Sequence, residues 1–158
     1  MKRGSTLFLK VVILLIGIAV LAALIWFPQT EGRAKGLDLV SIYFDPFIAY
    51  IYLASIPFFA ALFQAIKLLG FIEKNNMFSL AAVKAVRNIK FCAITIVCLL
   101  VVAMGWIRLA SGNDDPAGAM AVGTGMAFTS IVIATTAAVL QKVLQKAVDI
   151  KSENDLTV

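Results

Sequence analysis

The chain has 158 residues, of which 61% are hydrophobic and 15% charged, with a formal net charge of +5 and no histidine. Soluble domains run at about 45–50% apolar and about 25% charged, so this composition excludes a disordered chain and argues against a water-soluble globular enzyme. Without histidine, the commonest general base and metal ligand is missing.

Charge-free stretches mark the elements. Residues 11–30, 46–66, 91–107 and 116–141 are free of charge and run for 20, 21, 17 and 26 residues. A bilayer core of about 30 Å needs roughly 20 helical residues, so each stretch crosses once and none crosses twice. None alternates as a membrane strand would. The expectation is an all-α fold, a single membrane domain built as a four-helix transmembrane bundle. Its helices fall at about residues 7–27, 46–72, 80–107 and 117–151, with a polar tail at 152–158.

The first helix starts after Lys2-Arg3 and is expected to stop at Pro28, with Trp26-Phe27 in an interfacial aromatic belt. Its apolar run is too long for a signal peptide and lacks a clear cleavage site, so it reads as an uncleaved anchor. The second helix opens at Asp45-Pro46, an N-cap followed by proline at the first helical position. Pro57 removes a backbone donor in mid-membrane and predicts a kink. The third helix opens at Ser79, a second N-cap, and runs on the inner side of the bilayer before entering lipid. The fourth overruns the membrane: Leu140, Val143, Ala147 and Ile150 recur at spacings of three and four, an amphipathic continuation.

Eleven of the fourteen Lys and Arg residues fall at the N-terminus, in the loop between the second and third helices with its flanks, and at the C-terminus. Arg33, Lys35 and Arg108 fall on the other side with five of the nine acids. By the positive-inside tendency both termini are cytoplasmic. The net positive charge then reflects topology and anionic lipid, so the bilayer is the first partner and no direct contact with nucleic acid is expected.

In the fourth helix Ala117, Ala121, Gly125 and Thr129 form a stripe of small residues at spacing four. Such stripes let membrane helices approach closely, so helix packing is the favoured reading over a pore lining. No ionisable residue lies inside a span, which disfavours an ion-coupled transporter. Cys92 and Cys98 read as small packing residues, and nothing in the sequence assembles a catalytic, metal or cofactor site. Lys84, Arg87, Lys142 and Lys146, with Leu156 and Val158 of the tail, are the candidate surface for a soluble partner.

The start Met-Lys-Arg-Gly-Ser-Thr-Leu-Phe-Leu-Lys, the stretch Ile56-Pro57-Phe58-Phe59, the segment Phe78-Ser79 with Val83-Lys84 and Ile89-Lys90, and the ending from Asp149 to Val158 carry a resemblance. Over nearly the whole chain they resemble the bacterial domain-of-unknown-function family 2975. That resemblance implies a four-helix protein of the bacterial cytoplasmic membrane, and a small helix-turn-helix regulator as a partner. The leading expectation is therefore a membrane-anchored regulatory or interaction protein without enzyme activity. The alternative is a small channel or transporter assembled as a homo-oligomer, and a third is a structural or lipid-organising protein.

Overall fold

The computed structural model describes residues 3–30, 36, 38–112 and 115–156. Among them there is no strand. Four long helices are each apolar enough to cross a membrane: α1 (Arg3–Thr30), α3 (Pro46–Glu73), α4 (Leu80–Ala110) and α5 (Ala117–Leu156). A single short helix, α2 (Leu39–Tyr43), lies between the first two, in a segment to which the sequence reading assigns no element.

The helices pack antiparallel and in chain order. α1 lies on α3, α3 on α4, and α4 most closely on α5, while no extended contact joins α1 to α5 among the described residues. Arg3 and Leu156 therefore sit at one end of the bundle together with the α3–α4 turn. That end carries Lys67, Lys74, Lys84, Arg87, Lys142, Lys146 and Lys151 and is called the basic end below. Trp26 and Trp106, both largely exposed, mark the opposite end where an aromatic belt belongs.

Local chemistry fixes the ends. Asp45 Oδ1 accepts from the Phe47 N–H at 2.8 Å, and Asp115 Oδ1 accepts from the Ala117 N–H at 3.0 Å. The same Asp-Pro-X device thus opens α3 and α5 on the far side. α3 closes with Asn75 in the left-handed region at φ 52°. The Asn76 N–H donates back to the Phe71 carbonyl at 2.9 Å and the Asn75 N–H to that of Ile72 at 3.1 Å, which satisfies the last carbonyls. Ser79 Oγ then caps α4 by accepting from the Ala82 N–H at 3.3 Å.

Two expectations need correction. α1 does not stop at Pro28 but runs through it to Thr30. Proline deprives the carbonyl four residues back of its donor, and here that carbonyl is Leu24. Tyr52 Oη of α3 donates to the Leu24 oxygen at 2.8 Å, while Tyr43 Oη donates to the neighbouring Ile25 oxygen at 3.2 Å. A donor from another helix thus replaces the missing one, and α1 continues. The tail is also helical, as α5 extends to Leu156. Gln145 Nε2 donates to Asp149 Oδ1 at 2.9 Å and Ser152 Oγ to the Asp149 carbonyl at 2.7 Å, so polar side chains support the helix there. Pro57 lies within α3, which is assigned without a break.

At 1.5 Å per residue the 40 residues of α5 span about 60 Å, roughly twice the hydrocarbon core. The buried core is not in the middle of the spans. Val83 and Val86 of α4 meet Ala137 and Leu144 of α5, flanked by Leu68, Met77, Ile89, Leu140 and Val148. This cluster sits toward the basic end. Nothing in the apolar window of α1 is buried. Lipid tails are as apolar as leucine, so only surface that faces water is driven to pack by the hydrophobic effect.

A candidate docking surface at the basic end

At the bilayer boundary, Lys90 of α4 is half-buried and donates to Gln141 Oε1 of α5 at 2.8 Å. Its Nζ lies 5.0 Å from the Phe91 ring centroid, and Lys67 Nζ lies 4.6 Å from that of Phe63. Each ammonium thus rests on an aromatic face as its stem leaves the apolar zone. Lys10 and Glu73 form an ion pair that ties the start of α1 to the end of α3.

Beyond this boundary α4 and α5 stand together. Lys84 and Arg87 are exposed on α4, and Lys142 and Lys146 are exposed on α5. Each is two residues from a core position: Lys84 from Val86, Arg87 from Ala85, and Lys142 and Lys146 from Leu144. Two residues turn a helix through about 200°. Lys84, Lys142 and Lys146 therefore point away from the core that joins their helices, while Arg87, four residues on from Val83, lies at its exposed edge. The structure places a basic flank on each of two helices that share a common support. Leu156 is 85% exposed at the end of α5, and Val158 lies outside the described residues.

At the end of α5 apolar side chains are also exposed. Phe78, from the α3–α4 turn, is 53% exposed and Ile150 is 60% exposed. Together with Ala147, Lys151, Asn154 and Asp155 they line an open groove of about 470 Å³.

The small-residue stripe lies elsewhere. Ala117, Ala121, Gly125 and Thr129 are exposed, and the face of α5 buried against its neighbours carries Gly123, Ala127, Ser130, Ala137 and Leu144. The two sets are centred roughly 150° apart at 100° per residue. The stripe is thus not the face that packs within the single chain. Gly123 is where a close approach occurs: a Cβ there would come within 2.8 Å of Met104 Sδ. The hydroxyls of Thr129, Thr135 and Thr136 donate to the carbonyls of Gly125, Ile131 and Val132 at 2.8–2.9 Å, within their own helix.

Among the described residues no group of three or more His, Cys, Asp or Glu could hold a metal ion. Cys92 is half-buried and Cys98 exposed, and both are free thiols.

Sequence reading missed the Lys90–Gln141 link and the groove at Phe78. The available signals were a lone glutamine closing a charge-free stretch and a phenylalanine in an otherwise polar turn.

Residues 30–158 match the model of the family described as Protein of unknown function (DUF2975). Over 161 aligned positions covering all of both chains, the chain is 46% identical to the Uncharacterized membrane protein YoaS of Bacillus subtilis (strain 168). No solved structure matches it.

Proposed function

The chain belongs to the DUF2975 family of proteins of unknown function, and on that footing we propose that it is a membrane-anchored interaction protein and not an enzyme. In this reading the basic end faces the cytoplasm of a bacterium, by the positive-inside tendency, and receives a soluble regulatory partner. A small helix-turn-helix regulator, implied by the family resemblance, is the named candidate.

The observation that carries the reading is the position of the packed core. Val83, Val86, Ala137 and Leu144 join α4 to α5 toward the basic end. A helix pair with its own buried core is a rigid support. Rigid support is what a recognition surface needs if binding is not to cost extra ordering entropy. Lys84 and Arg87 on one flank, and Lys142 and Lys146 on the other, would steer an acidic partner toward it.

In-cell photo-crosslinking tests this. A photoreactive residue at position 87 or 142 should capture a soluble protein, and Lys84→Glu with Arg87→Glu should abolish capture at 142 while membrane insertion is unchanged. Adducts to lipid alone at both positions would overturn the reading.

The alternative, a small oligomeric channel or transporter, would use the exposed Gly125–Thr136 face. The hydroxyl protons on that face are already committed to backbone carbonyls, which leaves it poorer in donors for a polar permeant. Ion flux from liposomes carrying the purified chain would favour it.

A further inference from the structure

The outward face of α5 carries a pattern that the bundle core touches at Leu140 and otherwise leaves unused. Met126, Ile133, Leu140, Ala147 and Asn154 recur at intervals of seven, and between them runs a second set of which Val143 and Ile150 are the members nearest the basic end. Alternating steps of three and four over four heptads are the spacing of a coiled-coil seam. The seam is centred roughly 110° round the helix from the stripe that packs on α4. Except at Leu140 and Ala147, which are half-buried, it is exposed along its length.

In lipid an exposed apolar face needs no cover. Outside lipid it does. From Gln141 to Leu156 α5 runs about 22 Å further, past a headgroup zone of roughly 5–7 Å. Val143 is 58% exposed near that zone and Ile150 is 60% exposed well beyond it. A soluble partner could cover Ile150 but not Ile133. A partner that is itself in the bilayer covers both.

We propose that this seam is the contact between two copies of the chain, paired through α5 about a two-fold axis along the membrane normal. Two copies inserted with the same topology bring their α5 helices together parallel, the arrangement in which a heptad seam meets itself in register. In lipid the seam positions Thr129 and Thr136 are short and donate within their own helix, so backbones approach closely. In water, the contact covers Ile150, which is one wall of the groove beside Phe78. Asn154 takes the last core-facing position, where an asparagine sets register and parallel pairing.

One charge pair opposes the contact. In a parallel pair the position before each heptad faces the fifth residue on in the other copy, which sets Lys146 against Lys151. The dimer is therefore weaker than its apolar seam allows and strengthens with salt. Lys146 borders both this contact and one basic flank, while Lys84, Arg87 and Lys142 belong to the flanks alone, so the docking reading is tested there and the two fail independently.

Cysteine scanning of the full chain in native membranes, with Cys92→Ala and Cys98→Ala, tests the seam. Under mild oxidation Val143→Cys, Ile150→Cys and Asn154→Cys should give a covalent dimer in several-fold higher yield than Asp149→Cys and Ser152→Cys, which lie on the opposite side of α5. Adding Lys146→Glu to Ile150→Cys should raise the yield further, most at low salt. Equal yields at all five positions, no dimer at any, or adducts only to other proteins would overturn the proposal. Unmutated, labelled chain in lipid discs should bleach in two steps, and one step would overturn it as well.

Discussion

Replacing Tyr52 with phenylalanine removes one oxygen and nothing else, and it isolates what holds α1 to the bundle. Pro28 leaves the Leu24 carbonyl without its helical donor, and Tyr52 Oη supplies one at 2.8 Å. In Tyr52→Phe that carbonyl is unpaired. An orphaned buried acceptor costs about 1–3 kcal/mol, while interhelical hydrogen bonds measured in membranes average about 0.6 kcal/mol because the separated helices find other partners. Between these bounds, Tyr52→Phe should destabilise the α1–α3 pair by about 1–1.5 kcal/mol. In a Pro28→Ala background the alanine N–H reaches Leu24 within the helix, so the same change should cost no more than about 0.5 kcal/mol. The coupling in the double-mutant cycle is then about 1 kcal/mol. Reversible unfolding in mixed detergent micelles, with a fluorophore pair on α1 and α3, reads each corner of the cycle. Equal costs of Tyr52→Phe in the two backgrounds would refute the argument that proline creates the need and tyrosine meets it.

Leu144 is 2% exposed in the cluster at the basic end, so Leu144→Ala should cost about 2–5 kcal/mol and speed amide exchange in residues 80–90 and 137–150 while leaving α1 unaffected. Gly123→Ala should be nearly neutral, because the colliding Met104 side chain is flexible and alanine favours the helix, whereas Gly123→Leu should cost about 1–3 kcal/mol in thermal unfolding and be partly rescued by Met104→Ala. Asp45→Ala and Asp115→Ala each remove an N-cap acceptor and should each cost about 1 kcal/mol, additively in the same denaturation assay because they cap different helices.

The four spans were legible because lipid imposes a length: roughly 20 residues without charge are visible in any sequence. The openings at Asp45 and Ser79 were legible because a cap is a local event, settled within three residues. What escaped depended on partners distant in the chain. The end of α1 was misplaced because Pro28 is rescued by Tyr52, on a helix the local sequence does not mention. The face of α5 that packs on its neighbours escaped for another reason. Within lipid the helix is apolar on every side, so no polar face says which side turns toward α4. Ala117, Ala121, Gly125 and Thr129 have the small size packing requires, but Gly123 and Ala127 have it too, and only tertiary contact chooses between them. At the candidate docking surface the basic residues were all identifiable by type. Their division into two flanks required the position of Leu144.

A chain whose buried core stands toward one end, while polar ties from tyrosine oxygens secure its lipid-embedded neighbours, is held together by two forces with different temperature laws. Apolar burial against water weakens on cooling. A hydroxyl bonded to a carbonyl inside hydrocarbon has no water to lose and carries no comparable heat-capacity signature. Chilling should therefore loosen the α4–α5 pair at the basic end before it disturbs the attachment of α1. Urea, which acts by solvating surface that water can reach, should select the same end. The membrane protein then has two separate melting behaviours, one in the α4–α5 pair beyond the Lys90–Gln141 hydrogen bond and one where tyrosines tie α1 to the bundle.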